Sequence, residues 1–265
     1  MKKKILINQT ITNFKKKIIT VDGDKSLSIR FVLFSSLSQG KCSATNLLSS
    51  EDVHSALNII KRLGIKIKLR NEKCEIFGNG LFGYKFKKNL ILNAGNSGTT
   101  ARLILPLLNN STDWIKITGD RSLRMRDMSR ITKPLKLFGF KFKDNSEKLP
   151  LLIKGPKILK PISFTENLGS AQCKSAIMIA ALKAKGKTKI KCLPSRNHSE
   201  LMFNNLMKIS TKIYKKNNYE FIELNGLKEI KPFKYKIPGD ISSASFFVVL
   251  TLLSKKSSLI IKDVN

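Results

Sequence analysis

Carboxylates are scarce in this sequence: 18 Asp and Glu stand against 50 Lys and Arg, a formal net charge of +32 over 265 residues. Histidine is rarer still, with only His54 and His198, and no cluster of His, Cys and carboxylate has metal-ligand spacing. The four cysteines, at 42, 74, 173 and 192, are separated by 32, 99 and 19 positions. Those gaps fit neither a zinc nor a redox motif and read as scattered reduced thiols. No apolar run approaches the ~18 residues of a membrane span; the longest resemble Phe246 to Leu250. The opening MKKKILINQT is basic but lacks the apolar stretch of a secretory signal, so the expectation is a mature cytoplasmic protein without a membrane partner. GxxxxGK[ST], GxGxxG after a strand and GxSxG are also missing, which disfavours P-loop, dinucleotide-binding and serine-hydrolase readings.

What is abundant is lysine. Only nine basic residues are arginine, which leaves 41 lysines (50 − 9). The lysines run through the whole chain in alternations such as IKIKLR and FKFKD, the pattern of a strand with one solvated face. Seven of the nine arginines instead fall inside Gly/Ser/Thr-rich segments. The planar guanidinium fork suits phosphate and carboxylate better than a lysine point charge does. Net charge alone invites a nucleic-acid reading, but aromatics are only 8% of the chain with a single Trp, and no interleaved basic and aromatic tract appears.

An internal repeat organises those segments. GDKSLSIRFVLFSSL from Gly23, GNSGTTARLILPLL from Gly95, GSAQCKSAIMIAALKA from Gly169 and GDISSASFFVVLTLL from Gly239 begin 72, 74 and 70 residues apart. Each runs from a small polar cluster into an apolar stretch of helical length, the mark of a repeated supersecondary unit. A strand-like run follows each: CSATNLL, WIKIT, TKIKCL and SLIIKDV. A second helix is expected in SEDVHSALNIIKRLG, DRSLRMRDMSRITKPLKLFG and SRNHSELMFNNLMKI, ending at Gly64, Gly139 and Ser210. The fourth copy stops after one helix and one strand. Residues 239–265 are therefore expected to be poorly packed, because their apolar surface lacks the cover found in the other copies.

Polar clusters at helix starts are suited to anions. A helix start leaves about four backbone N–H groups unpaired and carries partial positive charge. Lys25, Arg30, Arg102, Arg126 and Arg196 add charge-assisted hydrogen bonds to these clusters. His198 is as well explained as a surface residue at a helix start.

The ordered set GDKSLSIR, GNSGTTAR, GDRSLRMRDMSR, GSAQCKSA, SRNHSE and PGDISSASFF resembles the enolpyruvyl-transferase family, in its phosphoshikimate branch, from about Ile18 onward. The resemblance implies an α/β fold of six repeated units, shared three and three between two domains with a cleft between them. Here it implies three complete units and a partial fourth, with the second domain largely missing. Residues 1–20 would be an N-terminal strand belonging to the other domain, 21–238 the complete three-unit domain, and 239–265 the start of the second domain.

The implied reaction joins shikimate 3-phosphate to phosphoenolpyruvate and releases phosphate, in aromatic amino-acid biosynthesis. It needs anchored anions and positioned acid–base groups, and no cofactor or metal is expected. The implied substrate contacts are Lys25, Ser26 and Arg30 from the first motif, then Gly98 with Thr99, Arg126, the trio Ser170, Ala171 and Gln172, and finally Ser195 and Arg196. The family's acid–base residues match no position here, so the 265-residue chain alone is expected to be inactive, and the full-length form to be monomeric.

Three departures stand out: Asp22 and Ile29 in the first motif, and Asp127 where a proline usually follows Arg126. The last places a carboxylate beside an expected anion-binding arginine, which is expected to weaken that site. The alternatives are a basic nucleic-acid-binding protein and an enolpyruvyl transferase acting on a UDP-sugar. GDKSLSIR disfavours the second, because it carries the phosphoshikimate-type Lys, Ser and Arg together.

Overall fold

The computed structural model describes residues 13–70, 73–143 and 147–265. The basic start of the chain, and Asp144 of FKFKD, lie outside the described residues.

Each of the four polar clusters starts a helix, and in each a short polar side chain caps it. Asp24 caps α1 (Lys25–Ser35), Ser97 caps α3 (Gly98–Ile104), Ser170 caps α6 (Ala171–Ala181) and Asp240 caps α8 (Ile241–Leu253), each accepting a backbone N–H of the first turn. A tight 3-10 turn, Leu105–Leu107, continues α3. Helices that are apolar on all sides must be enclosed. Every residue from Leu27 to Ser35 of α1 is buried, as is every residue from Cys173 to Ala181 of α6. Phe34 of α1 meets Phe203 edge to face, with centroids 5.2 Å apart and both rings fully buried. Truncating such a ring to alanine costs about 3–5 kcal/mol.

The first outer helix, α2 (Glu51–Arg62), is amphipathic: Val53, Ala56, Leu57 and Ile60 face the core. It is capped by Ser50 and complements its dipole with Glu51 and Asp52 at the start and Lys61 and Arg62 at the end. Gly64 and Gly139 end their helices with φ of +88° and +100°. The other two outer helices differ from expectation. The second is split into α4 (Arg121–Arg124) and α5 (Ser129–Leu137), with Met128 at the start of α5 and Asp127 just before it accepting hydrogen bonds from Ser129 in the intervening turn. The third is one short turn, α7 (His198–Leu201), running into a π-helical turn at Met202–Leu206. Its left-handed exit residue is Lys208, with φ of 54°, rather than the expected Ser210.

Three four-stranded sheets share one design. The first is ordered β13 (Lys234–Lys236), β2 (Gln39–Thr45), β4 (Lys73–Asn79), β3 (Lys66–Arg70). The second is β5 (Ile91–Asn93), β6 (Ile115–Thr118), β8 (Leu151–Lys154), β7 (Lys141–Phe142). The third is β9 (Ser163–Glu166), β10 (Lys187–Cys192), β12 (Tyr219–Asn225), β11 (Thr211–Lys216). In each, the first pair is parallel and the other two are antiparallel. The repeat is therefore a three-dimensional one.

The parallel edge strand of the first sheet, β13, comes from almost 200 positions further along the chain than its partner β2, with Lys234 opposite Ser43. The strand that precedes α1, β1 (Lys17–Ile19), instead pairs in parallel with β14 (Leu259–Ile261). The two connections cross at Gly23 and Gly239, where Asp24 N–H donates to Pro238 O and Asp240 N–H to Asp22 O. A Cβ on Gly23 would lie 1.9 Å from Asn46 O, so glycine is required at the crossing.

Not every lysine is solvated. Lys174 and Lys183 are 0% and 3% exposed, a correction to the surface reading of the lysine excess. They lie in or just after α6, where a helix enclosed on all sides leaves no solvated face. On α8 the opposite holds: only Ala244 is buried, while Phe246, Leu252 and Leu253 are about 80% exposed.

Candidate functional site

α3 of the second unit packs against both α1 of the first and α6 of the third, and the capped helix starts carry the residues singled out in the sequence. Gly98 is the first residue of α3. A Cβ there would lie 3.1 Å from Nη1 of both Arg102 and Arg126, so the backbone at this helix start is open only because the residue is glycine. Arg126 is exposed, and its Nη2 donates to Asn96 Oδ1 at 3.3 Å. Asn96 is itself fixed, its amide donating to Asp120, the cap of α4. That bond, followed by the Leu123 N–H, holds the Asp120 carboxyl below its ordinary pKa.

Arg102 joins the second and third units. Nη1 donates to Gln172 Oε1 at 2.8 Å, and Gln172 Nε2 donates to Thr99 Oγ1 at 3.0 Å. Burial, then the like charges of Arg126 and Arg130, lower the Arg102 pKa. Three guanidinium groups that repel one another gain most from an anion. Arg102, Asp127, Arg130, Ile131, Ser170 and Gln172 line an open cleft between α5 and the start of α6.

Ser170 serves the backbone: it caps α6 through Cys173 N–H, and its own N–H donates to Glu166 Oε2 at 3.0 Å. Glu166 is buried and also accepts from Leu168 N–H, so one carboxylate shapes the loop that leads into Ala171 and Gln172.

Arg30 is 4% exposed. Nε donates to Ser199 Oγ at 2.9 Å, Nη2 to Ser175 Oγ at 3.1 Å, and Nη1 to Ser26 O at 3.2 Å. Burial lowers its pKa to about 10, against the raising influence of Glu200 and Asp24. Lys25 is exposed and pairs with Asp52 of α2 at 3.1 Å, while its N–H donates to Asp240. Ser195 and Arg196 lie in the loop before α7; Ser195 Oγ is buried without a hydrogen-bond partner, and Arg196 is exposed.

The structure thus joins Gly98, Thr99, Arg126 and Gln172 around Arg102, and carries Arg30 to the third unit. Lys25 is tied instead to Asp52 and Asp240.

Asp127 directs its carboxylate to Ser129, while its charge also offsets part of the lowering of the Arg102 pKa. Its carboxylate accepts from Ser129 N–H at 2.9 Å and Ser129 Oγ at 2.6 Å, and these bonds lower its pKa. Its carbonyl accepts from Arg102 at 3.1 Å. Ile29 is fully buried in α1. Arg130 and Asn96 were not among the expected contacts; Arg130 falls three positions after Asp127, at the first turn of α5, in the same arginine-rich segment.

The sequence pattern of the EPSP synthase (3-phosphoshikimate 1-carboxyvinyltransferase) family matches residues 9–265. A 3-phosphoshikimate 1-carboxyvinyltransferase of Caldicellulosiruptor saccharolyticus is 39% identical over 249 residues, covering 92% of this chain and 56% of the relative. One from Petrotoga mobilis is 41% identical over 251 residues, covering 93% and 57%. The solved structure of EPSP synthase from Acinetobacter baumannii superposes with a TM-score of 0.84 at 32% identity, covering 96% of this chain and 56% of that one. The chain spans about half the length of the curated relatives it matches. With a matching pattern over all of its described residues and a matching fold, the chain belongs to the EPSP synthase (3-phosphoshikimate 1-carboxyvinyltransferase) family.

Proposed function

We propose that this chain supplies the anion-binding half of an enzyme that transfers the enolpyruvyl group of phosphoenolpyruvate to shikimate 3-phosphate and releases phosphate, in the cytoplasm. The observation that carries the reading is Gly98 between Arg102 and Arg126 at the start of α3, with Gln172 of α6 bonded to Arg102. Both substrates are small and doubly anionic in kind, each with a phosphate and a carboxylate. Arginine gathered at helix starts suits such ligands, whereas a nucleic-acid backbone needs only distributed cations.

In this reading Gly98, Thr99 and Arg126 face phosphoenolpyruvate. Ser170, Ala171, Gln172, Ser195 and Arg196 hold shikimate 3-phosphate, and Lys25, Ser26 and Arg30 bind at the start of α1. The residues of 21–238 form one domain, and β1, α8 and β14 belong to a second. In the reaction the substrate hydroxyl attacks C2 of phosphoenolpyruvate, its own proton passing by way of a base to the phosphate that leaves, while C3 takes a proton from an acid. Loss of phosphate, with return of that proton, then restores the double bond. The arginines steady the phosphate and carboxylate charges throughout.

Calorimetric titration of the 265-residue chain with shikimate 3-phosphate tests the reading. Saturable binding that weakens at least about tenfold in Arg196→Met supports it, and heat indistinguishable from dilution at millimolar ligand overturns it. Phosphate release by the chain alone should stay at the uncatalysed level.

A further inference from the structure

Lys174 and Glu200 form an ion pair at 2.5 Å with side chains 0% and 3% exposed, and Glu220 of β12 approaches the same ammonium at 3.4 Å. None of the residues assigned to the substrates above belongs to this cluster. Its place becomes clear from the chain neighbours. Lys174 precedes Ser175 on α6, and Glu200 follows Ser199 on α7. Those serines are the two that grip Arg30, and their hydroxyls are 2.7 Å apart. The ion pair therefore sets how α6 and α7 face each other one residue away from the contact that fixes Arg30.

Glu200 has a second link to that arginine. Its Oε2 is buried without a hydrogen-bond partner, and its charge is the largest influence opposing the burial cost of the Arg30 cation. A buried cation needs a nearby anion, and Glu200 serves as one for both Lys174 and Arg30.

We propose that Glu200, held by Lys174, is a positioning residue for Arg30: the pair locks α6 to α7 so that Ser175 and Ser199 present the buried guanidinium of the first unit to the ligand. The affinity arm of its test rests on the function proposed above, while the arginine arm does not.

The test uses the whole chain in two variants. Glu200→Gln removes the charge alone. Lys174→Met/Glu200→Leu replaces the pair with apolar side chains of similar size, which buried ion pairs commonly tolerate without loss of the fold. Hydrogen exchange of the Arg30 Nε–H, followed by NMR with the Arg30→Lys spectrum for assignment, should be slow in the wild-type chain and at least about tenfold faster in both variants. The dissociation constant for shikimate 3-phosphate should rise at least about tenfold in Glu200→Gln, yet Glu200→Gln should add nothing further in an Arg30→Met background.

Wild-type exchange rates in a folded double variant overturn the proposal, as does an affinity loss that adds in full to that of Arg30→Met. Absence of shikimate 3-phosphate binding in the wild-type chain overturns the ligand assignment, and the exchange rates then decide the positioning role alone.

Discussion

Arg102 and Gln172 fix each other across two repeat units. Because a guanidinium can only donate, its bond to Gln172 Oε1 leaves the amide nitrogen to Thr99 Oγ1, and the orientation of the amide is determined. Gln172→Glu preserves the shape but turns the contact into an ion pair, so Arg102 is neutralised by the protein rather than by a ligand. Binding of phosphoenolpyruvate and shikimate 3-phosphate should weaken at least about tenfold, or about 1.4 kcal/mol. The melting temperature should hold or rise. Titration calorimetry with thermal melts checks both, and undiminished affinity would show that Arg102 serves the fold alone.

Gly98→Ala probes the same place from the backbone. A Cβ 3.1 Å from two guanidinium nitrogens displaces side-chain ends and leaves the helix itself untouched. Alanine is the better helix former by about 1 kcal/mol. Stability measured by urea unfolding should therefore be unchanged or slightly higher, while phosphoenolpyruvate affinity falls. A variant that loses stability and keeps affinity would place Gly98 in packing instead.

Asp127→Ala separates a turn-forming role from an electrostatic brake. Loss of the two bonds to Ser129 loosens the turn just ahead of α5 and should cost about 1 kcal/mol in denaturant unfolding. Anion affinity should rise by no more than about threefold, since the carboxylate, although bonded to Ser129, lines the same cleft as Arg102 and offsets part of its charge. A large gain in affinity would restore the view that Asp127 weakens the arginine site.

The four helix starts were legible because their signal is local: a small polar cluster runs into an apolar stretch in each, and Asp24, Ser97, Ser170 and Asp240 in those clusters accept a first-turn N–H. The break in the second outer helix was hidden because Asp127 and Ser129 compete with the helix through hydrogen bonds only two positions long. The pairing of β13 with β2 was hidden for the opposite reason, since parallel partners so far apart leave no local trace; β1 and β14 also pair across the chain, in the two end segments that only the family resemblance, and no local pattern, grouped together. Lys174 and Lys183 were misread by composition, although a charge inside CKSAIMIAALKA, a run too apolar to have a wet face, was the available sign.

α8 offers a test of surface against core within one helix. Phe246 and Leu252 are 78% and 80% exposed, and Ala244 is 1% exposed. Phe246→Ser and Leu252→Ser should each shift unfolding by less than about 0.5 kcal/mol and reduce self-association of the chain at high concentration. Ala244→Asp should destabilise by more than about 1 kcal/mol, through a buried charge without a partner. Sedimentation velocity and urea unfolding together distinguish these outcomes; equal losses at all three positions would mean that α8 is packed throughout.

Lys183 makes stability depend on pH near neutrality. Its ammonium is fully enclosed, donating to Leu107 O at 2.9 Å and Asn109 Oδ1 at 2.6 Å and standing 5.3 Å from the centre of the Tyr84 ring. All three repeat units meet there, with no carboxylate among these contacts, and burial lowers its pKa to about 7. The unfolded lysine titrates near 10.4. Below about pH 7 both states carry the proton and the cost of enclosing the charge is fully present. Between that pH and about 10.4 the unfolded chain holds a proton that the folded chain has released, so stability rises with pH, by at most about 1.4 kcal/mol per unit. Cys42, Cys74, Cys173 and Cys192 act in the opposite sense at higher pH, because burial raises their thiol pKa values and only the unfolded thiols ionise readily. The rise from Lys183 should therefore be clearest from about pH 7 to about 8.5, before unfolded thiols titrate. Urea unfolding of wild type and Lys183→Met across that range should give curves that diverge with pH, the wild type gaining and the variant flat. Parallel curves would mean that Lys183 keeps its proton in the core.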